Sequence, residues 1–292
     1  MKRTLTGWLF TGPAVAAIVI FFFVPAAMAL ALSFTDFDIY ALADIRNLRF
    51  VGFRNYAELL NSDLFWLAMT NTLYFVFVGM PLSLAASLGA ALLINARAAL
   101  FKPMFRTIFF APVVTTLVAA ALVWRYLLHT RYGMINFGLG EIGAPPIDWL
   151  GDPVWAMPAI ILFAIWKTFG YNMVIFLAGL QTIPRDLYEA ARLDGASAWD
   201  EFRYVTLPGL APTLLLTGII TMAAYFQLFA EPYVMTQGGP AQRTITVLYF
   251  MYEQGFKWWN LGMASAVAFI VFVCMFVFTA VQMWFSRRGA AR

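Results

Sequence analysis

The sequence predicts an all-α polytopic membrane protein. It should have six transmembrane helices, both termini in the cytoplasm, and a helix pair projecting between the fourth and fifth spans. Three observations carry that expectation. Of 292 residues, 62% are hydrophobic and only 12% charged, against roughly 45–50% and about 25% in soluble domains. Mean hydropathy is +0.77. Six stretches also reach the length of about 20 mostly apolar residues that crossing a bilayer requires.

The six spans run over about 8–32, 66–94, 108–128, 154–180, 210–230 and 261–285, within one domain covering 1–292. Indole rings favour the headgroup level, and Trp8, Trp66, Trp124, Trp149, Trp155, Trp258, Trp259 and Trp284 fall at or near expected ends. Trp166, in mid-span, and Trp199, in a loop, break the pattern. The first span follows Lys2 and Arg3 and contains Ala29-Leu30-Ala31, which looks like a signal-peptide cleavage site. Its apolar run is longer than the about 7–15 residues of a signal peptide, so the sequence is read as a retained span.

Orientation follows the excess of Lys and Arg on cytoplasmic flanks. One side carries Lys2, Arg3, Arg97, Lys102, Arg106, Arg185, Arg192, Arg203, Arg287, Arg288 and Arg292. The other carries Arg46, Arg49, Arg54, Arg125, Arg131, Arg243 and Lys257. The richer side is assigned to the cytoplasm, and an even number of spans returns both termini there. Pro13, Pro25, Pro81, Pro112 and Pro158, with Gly79, Gly170 and Gly218, lie inside spans. Such breakers read equally as ordinary kinks or as hinges.

Several function classes are excluded. One cysteine (Cys274) allows no disulfide framework, and with one histidine (His129) there are too few soft ligands for a structural zinc site. The formal charge of +4 contains no basic run suited to nucleic acid. Glu141, Asp148 and Asp152 occur in an outer loop with Gly143, Pro145, Pro146 and Pro153, and read as a solvated loop rather than a catalytic acid–base pair. No Asp or Glu lies centrally in any span, which disfavours the runner-up reading, an autonomous secondary transporter or channel.

The segment 181–208 carries the clearest local signals. Pro184 suits the first position of a helix, and 185–192 are mostly good helix formers. Gly195 suits a left-handed position after that helix. Ser197 with Asp200 three residues on reads as a capping box opening a second helix, which Pro208 should stop. The result is an elbow shaped to lie in a groove on another protein. The alternative is a solvated linker in which Glu189 pairs with Arg185 and Arg192 at helical spacing.

The spacing Glu189-Ala190-Ala191, three residues, Gly195, nine residues, Val205, one residue, Leu207-Pro208 resembles the coupling motif of binding-protein-dependent ABC importer permeases. Val205 stands where that family usually has isoleucine. Asp194-Gly195-Ala196, the phrase Leu207-Pro208-Gly209-Leu210-Ala211-Pro212, Phe50-Val51-Gly52-Phe53-Arg54-Asn55-Tyr56 and Gly238-Gly239-Pro240 resemble the carbohydrate branch, the maltose- and glycerol-phosphate-type permeases. The resemblance implies a sugar importer of the bacterial inner membrane, built with a second, different permease, a homodimeric or heterodimeric ATPase and a soluble binding protein. It also implies that Glu189, Ala190, Ala191, Gly195, Leu207 and Pro208 meet the ATPase.

No G-x-x-x-x-G-K-[ST] loop is present, and Lys2, Lys102, Lys167 and Lys257 all lack the preceding glycine. The chain is therefore expected to bind no cofactor and to be no enzyme, with ATP and magnesium held by the partner ATPase. Polar groups in mid-span mark a candidate substrate path: Lys167, Tyr171 and Asn172 in the fourth span, with Tyr225 and Gln227 near the outer end of the fifth. Asn172 is the foremost candidate for contact with sugar hydroxyls, and interhelical bonding is the alternative.

Overall fold

The computed structural model describes residues 2–96 and 100–290. Side chains are described except at 2–7, Leu9 and 287–290. Of the expected positive flank, Arg97 and Arg292 lie outside the described residues, as do the side chains of Lys2, Arg3, Arg287 and Arg288. Among the described residues the chain is helical, with one isolated β-bridge (Thr35 to Phe50) and no strand.

Among the described residues, four unbroken helices are long and apolar enough to cross a membrane: Phe10–Leu32, Asp63–Asn95, Ala156–Thr182 and Leu261–Ser286. They match the first, second, fourth and sixth expected spans to within a few residues. The third and fifth expected spans belong to two bent helix pairs, Lys102–Val114 with Leu117–Leu127, at 100°, and Ala198–Gly209 with Ala211–Phe226, at 67°. Within the third expected span, 108–128, the break falls just after Pro112, one of the breakers the sequence placed there. At 1.5 Å per residue neither of its halves reaches the about 30 Å of the hydrocarbon core alone. The fifth span is shorter than expected: its helix ends at Phe226, and helix resumes only at Ala230.

Prolines explain less of the bending than the sequence implied. Widened π-helical turns occupy Val19–Phe23, Phe75–Gly79 and Phe202–Thr206. Each ends two residues before a proline: Pro25, Pro81 and Pro208. A proline ring collides with the carbonyl four residues back and offers no N–H to it. A wider turn just before it relieves both problems and lets the helix continue. Pro208 accordingly does not stop its helix, which runs on to Gly209.

The chain divides into two compact units. One comprises 1–66 with 250–273, the other 67–249 with 274–292. In the first unit, the chain leaving the first span is pinned by the Asn55 amide, which donates to the carbonyls of Ser33 and Thr35, both at 2.8 Å. The Tyr56 and Ser33 hydroxyls pair at 2.7 Å, and Gly52 holds a φ of +59°. Within this unit the Phe50–Tyr56 phrase therefore has a structural use.

The second unit is organised around the fourth span, half of whose apolar window is buried. Ile160, Phe163 and Ala164 pack with Phe75, Val76, Trp124, Met222, Tyr225 and Phe226. Nearer the end of that helix, Met173, Phe176 and Leu180 pack with Ala91, Ile94 and Leu210. Trp166, out of place as an interface anchor, packs half-buried against this core, its ring 5.4 Å from that of Trp124.

Candidate functional site

The 181–208 segment folds as the expected elbow. Arg185–Leu193 forms the first helix, with Pro184 just before it as its N-cap rather than in its first position. Gly195 adopts a φ of +81°, the left-handed conformation that glycine accepts without penalty. Ser197 and Asp200 form a reciprocal capping box at the start of Ala198–Glu201. Hydrogen bonds from the Ser197 hydroxyl and backbone N–H hold the Asp200 carboxyl below the usual carboxylate range.

The elbow is clamped by a pair absent from the sequence reading. Arg192 grips Glu201 with two bonds, Nε to Oε1 at 2.7 Å and Nη2 to Oε2 at 3.0 Å, and this raises the affinity of Arg192 for its proton. The nine-residue separation crosses the turn, so helical spacing gave no sign of it. The Tyr188 and Thr206 hydroxyls add a second tie at 2.9 Å. Because Arg192 pairs with Glu201, Glu189 is left exposed on the first helix beside exposed Ala190 and half-buried Ala191. Leu207 and Pro208 are exposed as well. Leu187, Leu193, Trp199 and Tyr204 also present large apolar surfaces to solvent. A cleft of about 740 Å3 runs between this elbow and the end of the second span, lined by Asn95, Gln181, Arg185, Tyr188, Glu189 and Arg192, among others.

The five mid-membrane candidates separate into two groups. Tyr171 and Gln227 have exposed side chains. Asn172 is buried and donates to the Thr221 hydroxyl of the fifth span at 2.9 Å. Tyr225 is buried, with its ring 4.7 Å from Phe75 and its hydroxyl 3.5 Å from that of Thr168. Lys167 donates to three carbonyls at the break in the third span: Pro112 at 2.6 Å, Val113 at 3.2 Å and Thr115 at 2.9 Å. Thr168 and Thr221 escaped the sequence reading because a single hydroxyl in a span gives no signal.

Asp148 and Asp152, two of the three outer-loop acids, and His129 make local structural contacts. Asp148 accepts from the Thr130 hydroxyl and the Gly151 N–H, and Asp152 accepts from the Val154 N–H. His129 stacks on Tyr132 at 3.5 Å. Among the described residues no group of three His, Cys, Asp or Glu is placed to hold a metal.

Residues 86–290 match the family of binding-protein-dependent transport system inner membrane components. The chain belongs to this family. Membership makes it a membrane permease component and not an enzyme. The permease is 35% identical over 288 residues to the lactose transport system permease protein LacF of Rhizobium radiobacter, covering 97% of this chain and 94% of that one. It is 35% identical over 241 residues to the trehalose/maltose transport system permease protein MalF of Thermococcus litoralis, covering 82% and 80%. Its fold superposes with a TM-score of 0.84, at 22% identity, on a chain of the bacterial alginate ABC transporter crystallised with an alginate pentasaccharide-bound periplasmic protein. That match covers 99% of this chain and 96% of the other.

Proposed function

We propose that this permease is the translocation subunit of an ATP-driven sugar importer in the bacterial cytoplasmic membrane, with both termini and the 181–208 elbow in the cytoplasm. It pairs with a second, different permease, receives sugar from a soluble binding protein, and is driven by separate ATPase subunits that hold the ATP and magnesium. The sugar class is supported by the lactose and trehalose/maltose names of relatives that match 97% and 82% of this chain.

The observation that carries the coupling role is the exposed elbow. Arg192 grips Glu201, and Glu189 stays exposed beside exposed Ala190 and half-buried Ala191, both small enough to admit a close neighbour. Glu189, Ala190, Ala191, Gly195, Leu207 and Pro208 are the ATPase-facing set. For the sugar path, exposed Tyr171 and Gln227 are the side chains suited to touch substrate, an aromatic face and an amide respectively. Asn172, Tyr225 and Lys167 hold the helices behind them.

The test is reconstitution of the chain with the neighbouring permease, the ATPase and the binding protein in liposomes. Sugar uptake and sugar-stimulated ATP hydrolysis should need all four. Glu189→Ala should weaken ATPase association by about 0.2–1 kcal/mol, the range for a partly solvated pair. Sugar uptake by this chain alone would refute the reading.

A further inference from the structure

The break in the third span is held from one side by the fourth. The first half, Lys102–Val114, lies against the fourth span so closely that a Cβ on Gly170 would collide with the Phe109 carbonyl oxygen and sit 3.0 Å from the Phe110 Cα. The second half, Leu117–Leu127, is held by the Trp124 indole, whose ring lies 5.6 Å from Phe163 and 5.4 Å from Trp166. Lys167, adjacent to Trp166 and three residues before Gly170, sits where the two halves part.

A helix that ends inside a membrane strands its last carbonyls, with no water to take them. Here the ammonium of Lys167 donates to the Val113 and Thr115 carbonyls and adds a further donor to Pro112, whose carbonyl also accepts from the Thr115 N–H and hydroxyl. Its charge also faces the negative end of the helix dipole. Three carbonyls at 2.6–3.2 Å match the three N–H donors of a lysine, so the group has no donor left for a sugar.

We propose that Lys167 is a positioning residue: a clasp that holds the third span in its bent form during translocation without touching the substrate. In its transport arm the proposal rests on the permease reading; in its structural arm it does not.

The structural arm places spin labels at Met104 and Val123, both exposed and one on each half, in a Cys274→Ala background. With the 100° bend, helical rise puts these Cα atoms about 18 Å apart, against about 28 Å in a straight helix. The native lysine should give one short, narrow distance population. Lys167→Met should broaden it toward the longer distance. Lys167→Arg, which keeps charge and donors, should preserve the short one. In the assembled importer Lys167→Met should lower maximal uptake by roughly 10-fold or more, the equivalent of losing charged hydrogen bonds, with KM for the loaded binding protein unchanged. Should Lys167→Met not accumulate, Lys167→Gln, with two donors, serves as the graded variant. An unchanged distance distribution in the neutral variants overturns the clasp, and so does a KM rise with maximal uptake retained. A relaxed bend in a complex whose native form moves no sugar leaves the clasp standing and refutes the permease reading instead.

Discussion

Substitution of Gly195 by Ala and by Asn separates a turn residue from a docking residue. Gly195 holds a φ of +81°, and a Cβ built there meets nothing within 4 Å in this chain. Within the permease the cost is therefore purely that of the left-handed backbone. For alanine this is about 1–2 kcal/mol, and for asparagine, which visits that region readily, it is less. Thermal unfolding of the purified chain should thus rank glycine above asparagine above alanine. Docking reverses the order of the two variants if an ATPase wall lies against the elbow. The longer asparagine then intrudes further than alanine, and overpacking of about 1–3 kcal/mol weakens association roughly 5- to 150-fold. The assay is titration of detergent-solubilised permease with the ATPase, run beside the unfolding measurement. The inverted ranking is the signature of contact. If both assays rank the variants alike, Gly195 is only a turn residue and no partner reaches the elbow there.

Further outcomes are expected. Asn172→Ala should lower thermal stability in detergent by about 0.6–1.7 kcal/mol, the range for interhelical hydrogen bonds, and leave KM unchanged. Tyr171→Ala should do the reverse, raising KM in uptake assays at little cost in stability. Gly170→Ala drives a methyl into the Phe109 carbonyl, so the third and fourth spans must separate; a loss of about 1–3 kcal/mol in thermal unfolding results, and an unshifted midpoint would contradict the close approach. Finally, Asp200 binds its proton less readily folded than unfolded, so the stability it contributes is present above about pH 4 and is lost as pH falls through its lower folded value. Amide exchange at 198–201, corrected for intrinsic rate, should therefore quicken only at acid pH in the native chain and already at neutral pH in Asp200→Asn.

How far the fold was legible in the sequence depends on the range of the forces involved. The ends of the unbroken spans were legible because hydrophobic length is a sum over some 20 residues. The elbow was legible because caps and left-handed glycines act within a few residues: Gly195 and the Ser197–Asp200 box stand where the spacing put them. The Arg192–Glu201 clamp and the Asn172–Thr221 bond were not, since each joins residues that local periodicity does not relate.

The bends show the same division most clearly. Proline alone is a poor guide to them: before Pro25, Pro81 and Pro208 a widened turn absorbs the ring and the helix continues. At Pro112 the helix instead ends within three residues, and the β-branched run Val113-Val114-Thr115-Thr116 comes directly after that proline. Those side chains lose rotamer freedom in a helix and sit readily in extended backbone, the conformation that Thr115 and Thr116 adopt. Even that run would not break a helix inside a bilayer without donors for the freed carbonyls. Thr115 meets the Pro112 carbonyl locally, and Lys167, 54 residues further on from Val113, provides the donors for Val113 and Thr115. A lysine near the bilayer centre reads from sequence as a candidate for the substrate path. In the folded chain its partner is the backbone that it allows to bend, and only the tertiary structure joins the two.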